Sequence, residues 1–272
     1  MDKTLQKKIE KVKESLQGKR GLVAFSGGVD STVMTRLALE FCANVLAVTA
    51  NSRIEPPNEL EEAKCIAKEL GVKWESIEIN PLVNPNFHAN PPNRCYFCKK
   101  EIMTALLALA KKRNLEIIID GTNNDDLRDF RPGYGAVQEL NIKSPLAEAE
   151  ITKKEIRRIA KEYNLSVFNK PAMACLASRI PYGSEITEQK LTMIAEAETI
   201  IKNLTNVSVV RVRHHGTIAR IEVPPEERCK FFDQKVLDRI NAALYKLGFV
   251  YVTLDLQGYR SGSMNESLKE AP

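Results

Sequence analysis

The chain has 272 residues, 43% of them hydrophobic and 28% charged, with a formal net charge of +5. That length allows a sizeable core in one domain or two. The mild basic excess, with no long Lys/Arg run outside a lysine-rich first helix, argues against a nucleic-acid-binding protein and suits an anionic small molecule; no apolar stretch reaches membrane-spanning length and the first residues lack a signal-peptide core, so a cytoplasmic protein with no membrane partner is expected, its six cysteines serving as thiols, ligands or catalytic groups.

In chain order, the pattern predicts a strand over 22–25 and a helix over 29–42, joined by Ser26, Gly27, Gly28, Val29, Asp30 and Ser31. Adjacent glycines let the backbone approach an anion without a Cβ in the way. The first N–H groups of the helix are unpaired and carry the positive end of its dipole, so the turn reads as a phosphate cradle. Ser26 and Ser31 add hydroxyls, and Asp30 is placed to cap the helix or to help hold a metal. No Gly-Lys-Ser/Thr follows, so the lysine that a P-loop sets on the β- and γ-phosphates is missing from the motif. That suits a pyrophosphate that leaves whole, as in adenylation, and the hexapeptide resembles the PP-loop of the N-type ATP pyrophosphatases.

Strands over 45–49 and 74–79 flank a helix over 58–70 that ends at Gly71, the residue favoured just past a helix. A Pro/Asn-rich loop follows over 80–94, then a helix over 95–113 and a short strand over 116–119. This alternation predicts an α/β fold with a parallel sheet covered on both faces, its ligand beyond the carboxyl ends of the strands. Thr49 and Ser52 after the second strand, and Gly121 and Thr122 after the fourth, are therefore candidate nucleoside contacts. Asp125, Asp126 and Asp129 are candidates for ribose or metal, although an acidic loop is more often simply solvated. Thr152 and Glu155 have capping-box spacing before a helix to about residue 163.

After Pro171 the order changes to a helix over 187–204, strands over 208–213 and 218–223 around a turn at His214, His215 and Gly216, a long helix over 226–247 and a strand over 249–254. This is a smaller α+β unit. The boundary falls within 171–185 and divides the chain into a PP-loop domain over 1–175 and a second domain over 176–272. Arg211 and Arg213, two apart on a strand, point to one face, and planar guanidinium forks suit phosphate or carboxylate. Glu222 on the facing strand is a candidate metal or substrate contact.

Cys95 and Cys98 form a CxxC where a loop enters a helix, and Cys175 lies far downstream; Arg94 and Arg179 stand beside them. Such thiols can bind a four-iron cluster with one iron open, bind zinc with a fourth ligand, or form a redox disulfide. Cys42, Cys65 and Cys229 sit within helical apolar patterns and read as packing residues.

Six strings occur in order: the cradle at 26–31, NRCYFCK at 93–99, DGTNNDD at 120–126 with RPG at 131–133, ACLASRIPYG at 174–183, RVRHHG at 211–216 and GYRSGS at 258–263. Together they resemble the LarE family of pyridinium-3,5-bisthiocarboxylate mononucleotide sulfur transferases, over nearly the whole chain. The resemblance implies an enzyme that uses ATP and Mg²⁺ to adenylate a carboxylate of a pyridinium biscarboxylate mononucleotide, then replaces oxygen by sulfur for a nickel-pincer cofactor. It implies that Arg211 and Arg213 bind the substrate phosphate, that Ser178 and Arg179 lie beside the sulfur donor, and that Cys95, Cys98 and Cys175 hold a [4Fe-4S] cluster carrying a transferable sulfide. In another branch the cysteine matching Cys175 gives up its own sulfur. A homo-oligomer, assembled through the second domain, is also implied. A tRNA thiolase, an ammonia-dependent synthetase and an ATP-sensing metal scaffold are the competing readings.

Overall fold

The first helix, α1 (Lys3–Leu16), buries Leu5, Ile9, Val12 and Leu16 along one stripe and turns its lysines outward, the spacing of an amphipathic helix. The computed structural model describes residues 2–128, 131–171, 173–260 and 262–265. Its chain forms two units, one of Met1–Phe87 with Asn93–Met173 and the other of His88–Pro92 with Ala174–Pro272.

In the first unit, β1 (Arg20–Ala24), α2 (Val29–Phe41), β2 (Asn44–Asn51), α3 (Glu59–Leu70) and β3 (Lys73–Glu78) alternate. The predicted loop that follows holds a 3-10 turn, Pro81–Val83, and a four-residue helix, α4 (Pro85–His88). Then come α5 (Arg94–Lys112) and β4 (Ile117–Ile119). The four strands form a parallel sheet in the order β3-β2-β1-β4. Neighbours along each strand go to opposite cores: Val23, Ala47 and Ile119 pack with α1 and α2, whereas Leu22, Leu46 and Ile118 pack with Met103 and Leu106 of α5. A sheet buried on both faces explains why these strands read as continuous apolar runs. The order turns around at β1, so the loop after β1 opens at the switch point where α/β sheets bind ligands.

Three further helices complete this unit: α6 (Gly133–Glu139), α7 (Pro145–Glu148) and α8 (Lys153–Glu162). The α6 segment was not foreseen, because its two glycines suppress the helical signal. Both face α5: a Cβ on Gly133 would lie 3.3 Å from the Cys95 carbonyl oxygen, and one on Gly135 would lie 3.6 Å from the Tyr96 ring. The capping box of α8 is present, with Thr152 and Glu155 serving each other's backbone.

The second unit contains α9 (Glu188–Thr205), β5 (Arg211–His215), β6 (Ile218–Glu222), α10 (Gln234–Lys246) and β7 (Tyr251–Leu254). Its sheet has the order β5-β6-β7, antiparallel then parallel, and packs on a core that includes Ile201, Val212, Phe231, Leu244 and Phe249. Two expectations are corrected here. The single helix over 226–247 is a 3-10 turn, Pro225–Phe231, followed by α10, because Asp233 accepts from the N–H groups of Lys235 and Val236 and caps a new helix. His214 and His215 end β5 rather than forming the turn, which falls at Gly216, where φ is 65°, and Thr217. Among the described residues no helix is long and apolar enough to cross a membrane.

Candidate functional site

The cradle in the first unit is built by what its residues lack. Gly28 is the N-cap of α2 with no side chain to bond the following N–H groups, so that helix end is left open for an anion. The two glycines differ in purpose. Gly27 has φ 68° and sits against α3, where a Cβ would come within 2.9 Å of the Ala63 Cα. Gly28 has an ordinary φ, and a Cβ there would meet only the Ser26 hydroxyl at 3.4 Å, so its open face is available to a ligand. Ser31 Oγ donates to the Gly28 carbonyl at 3.1 Å and lies 3.1 Å from Ser26 Oγ, which fixes the turn from inside. Gly121 serves packing as well: a Cβ there would stand 3.0 Å from the Ser31 nitrogen, so only glycine lets the loop after β4 approach α2.

A cavity of about 590 Å³ opens over this turn, lined by Ser26, Gly28, Val29, Asp30, Ser31, Thr49 and Gly121 among others. Burial pushes the Asp30 carboxyl above its ordinary value, against the opposing pull of Lys153. Among the described residues Asp30 Oδ1, which is buried, has no hydrogen-bond partner. As a single carboxylate ligand on the cavity wall, Asp30 fits Mg²⁺, which prefers oxygen ligands and is shared with phosphates. Two nucleoside candidates look different in three dimensions. Thr49 lines the cavity, but its hydroxyl donates to the Phe25 carbonyl at 2.7 Å and accepts from the Trp74 indole at 2.9 Å, which braces β1 and β2. Ser52 is not on the cavity wall; its hydroxyl accepts from the Ile54 N–H. Asp125 and Asp126 organise their own loop, bonding Lys153 N–H and Asn123 N–H, while Asp129 lies outside the described residues.

The second unit brings Cys175, Ser178, Arg179, Arg211, Arg213 and Glu222 into one network. Arg179 is fully buried and forms a two-bond fork with Glu198 at 2.9 and 3.1 Å. Its other terminal nitrogen bonds the carbonyls of Ala174 and Cys175 and the Ser178 hydroxyl. Arg213 donates to the Ser178 carbonyl at 3.1 Å, to Glu222 at 2.6 Å and to Ser263 at 3.0 Å. Arg211 bonds the Val210 carbonyl and lies over the Tyr259 ring, and burial followed by the charge of Arg179 pulls its pKa below the usual arginine value. Buried guanidinium groups that outweigh Glu198 and Glu222 favour an anion, which would supply the missing countercharge.

Glu222, the candidate metal or substrate contact, is fully buried between Arg213 and Arg220, at 2.6 and 3.1 Å, and accepts from Ser263. A carboxylate held between two guanidinium groups fixes the positions of both. His214 is buried against Phe249, and burial lowers its pKa, the setting of a core histidine. Cys95 and Cys98 stand on the first turn of α5, and Cys175 precedes a 3-10 turn, Leu176–Arg179, in the second unit. Among the described residues there is no group of three or more His, Cys, Asp or Glu side chains that could hold a metal ion. Cys42 is half-buried, and burial pushes its thiol up to about 11; Cys65 and Cys229 are exposed, contrary to the packing role read from their patterns.

Residues 2–186 match the family model described as NAD synthase. The chain is 45% identical to an uncharacterized protein of Synechocystis sp. across 92% of this chain and 93% of that one. It is 38% identical to the pyridinium-3,5-bisthiocarboxylic acid mononucleotide synthase of Lactiplantibacillus plantarum, across 93% of this chain and 91% of that protein. The chain belongs to the LarE family. An uncharacterized protein of Methanocaldococcus jannaschii, 33% identical across 92% of this chain, extends the likeness to an archaeon. As a LarE-family member with a NAD-synthase-like region, the chain is a PP-loop protein whose cradle, cavity and Cys175 segment all fall within the span shared with the synthase.

Proposed function

We propose that this protein is an ATP-dependent sulfur transferase that converts a carboxylate of pyridinium-3,5-biscarboxylic acid mononucleotide to a thiocarboxylate, for a nickel-pincer nucleotide cofactor. The observation that carries the reading is the arginine network of the second unit, in which Arg213, a residue that would hold an anionic substrate, bonds the Ser178 carbonyl while Arg179 bonds the Ser178 hydroxyl and the Cys175 carbonyl. The near full-length likeness to the L. plantarum synthase supports the substrate class. In the first step a carboxylate oxygen attacks the α-phosphorus of ATP; the bond from that phosphorus to the bridging oxygen breaks, and pyrophosphate leaves with the electron pair. In the second step the donor sulfur forms a bond to the acyl carbon, the bond from that carbon to the AMP oxygen breaks, and AMP leaves with the electron pair; a sulfide held at a cluster would leave its iron, whereas sulfur taken from Cys175 would break the Cβ–Sγ bond with loss of the Cα proton, leaving dehydroalanine. The open end of α2 and the Ser26–Ser31 turn hold phosphate during the first step, and Mg²⁺ held at Asp30 would neutralise charge there. Arg211 and Arg213 orient the substrate, while Arg179 and Ser178 fix the Cys175 segment.

The purified protein is expected to release pyrophosphate and AMP from ATP only when the biscarboxylate nucleotide is present. Pyrophosphate release that requires tRNA or ammonia instead would overturn the reading. The sulfur is proposed to be a sulfide carried on a [4Fe-4S] cluster that Cys95, Cys98 and Cys175 would hold, the alternative being the Cys175 sulfur itself. Anaerobic loading to about four irons per chain, lost on Cys95→Ala, identifies a [4Fe-4S] carrier, whereas dehydroalanine at Cys175 after one turnover identifies the protein's own sulfur.

A further inference from the structure

One face of the second unit's sheet packs on the core, and the other carries a row of charges. Val212, Ala219 and Ile221 go to the core, so their neighbours Arg211, Arg213, Arg220 and Glu222 share the opposite face. Arg213 stands directly opposite Arg220 across the β5–β6 pair, and like charges so placed repel. Two carboxylates divide them. Glu222 gives one oxygen to Arg213 at 2.6 Å and the other to Arg220 at 3.1 Å, and Arg220 also bonds Asp255, the residue after β7. The second oxygen of Asp255 accepts from the N–H groups of Gln257 and Gly258 at 2.8 and 3.2 Å, which turns the chain back. Gly258 has φ 77°, a Cβ there would lie 2.7 Å from the Val223 carbonyl oxygen, and the Tyr259 N–H donates to that oxygen at 2.8 Å. The returning segment sets the Tyr259 ring 5.5 Å from the Arg211 guanidinium and the Ser263 hydroxyl 3.0 Å from Arg213. Arg213 is buried with both terminal nitrogens bonded, to Ser178, Glu222 and Ser263, whereas its Nε has no partner among the described residues.

We propose that Arg220 and Asp255 are positioning residues for substrate binding: their ion pair latches the segment after β7 over the sheet, and that segment turns Arg213 so that its Nε–H is the donor left for the substrate's phosphate. The inference rests on the substrate reading proposed above and adds to it two residues that act through the arginines. With a neutral residue at 255, Arg220 turns its whole charge on Glu222 and draws it from Arg213, while the Ser263 bond loses the anchor of its segment. A guanidinium free to swing on its long side chain loses the direction that makes its planar fork selective. One fixed by Ser178, Glu222 and Ser263 meets a phosphate without further ordering.

The test measures binding of the biscarboxylate mononucleotide and of its dephosphorylated nucleoside to the full chain by equilibrium dialysis, for the wild type, Asp255→Asn, Arg220→Met and the double variant. Asparagine keeps an acceptor for the Gln257 and Gly258 N–H groups, so Asp255→Asn removes the ion pair and leaves the turn. A charged hydrogen bond turned out of line implies that each single variant weakens the mononucleotide about tenfold, while the nucleoside, which has no phosphate, changes less than about twofold. Two residues of one latch are not additive, so the double variant should bind within about threefold of the weaker single variant. Equal weakening of mononucleotide and nucleoside, as a loosened fold would give, overturns the proposal, and so do unchanged mononucleotide binding or additive losses. A wild type that binds the mononucleotide no more tightly than the nucleoside overturns the substrate reading itself, a separate outcome.

Discussion

Gly27 and Gly28 are adjacent and identical in chemistry, yet the structure asks opposite things of them. Gly27 carries φ 68° and abuts Ala63, whereas Gly28 has an ordinary backbone and no protein neighbour that a methyl group would displace. Gly27→Ala is therefore expected to destabilise the fold, by about 1–2 kcal/mol from the left-handed backbone alone, with the α3 contact adding to it. Gly28→Ala should melt near the wild type but bind ATP poorly, because its methyl group stands where phosphate approaches. Thermal unfolding and ATP titration of both variants check the pair; equal melting temperatures would contradict the assignment. The hexapeptide was legible as a phosphate cradle because it is contiguous. The packing role of Gly27 was not, since it depends on a helix more than thirty residues away.

At the scale of elements, periodicity revealed the helices that bury one regular face, among them α3, α5 and α8. It missed α6, whose glycines are there for close approach to α5, and it ran the Pro225–Phe231 turn into α10 because polar caps carry no apolar period. That turn also holds a charge cluster. Glu227 accepts from the Ser208 N–H at 2.8 Å, the Ser208 hydroxyl at 2.7 Å and Lys230 at 2.7 Å. The Lys230 hydrogen bond, with those from Ser208, lowers its pKa to about 2. A carboxyl whose folded pKa is depressed stabilises the fold above its unfolded pKa, about 4.3, and that contribution fades as pH falls through the folded value. Glu227→Gln should thus be less stable than the wild type at pH 7, with the difference shrinking below pH of about 4.3 and gone once the pH passes below about 2. Denaturant unfolding across that range tests it, and an undiminished difference at the acid end would count against the cluster.

At the scale of the whole molecule, each unit has its own core. Phe249 is fully buried in the second, packed with Phe231, Leu244 and Val212. Phe249→Ala should cost about 3–5 kcal/mol. Hydrogen exchange should then rise through α9, β5, β6 and α10 with little change in β1 and β2, whose core shares no residue with that of Phe249. A uniform rise across the chain would show that the two cores unfold as one.

The sequence by itself determined the alternation of strand and helix, the anion-binding turn after the first strand and the placing of two arginines on one face of a strand. These are local properties, set by side-chain period and backbone freedom over a few residues. Only the tertiary structure decided what those groups meet: Lys153 brought to Asp30, Glu222 enclosed by Arg213 and Arg220, the Thr49 hydroxyl taken up by Phe25 and Trp74, and Arg179 holding the Cys175 backbone. Each depends on residues that folding alone makes neighbours, and a carboxylate or hydroxyl carries no mark in the sequence of the partner that will occupy it. The cradle has no lysine in its motif, and in the folded chain another helix places one beside it.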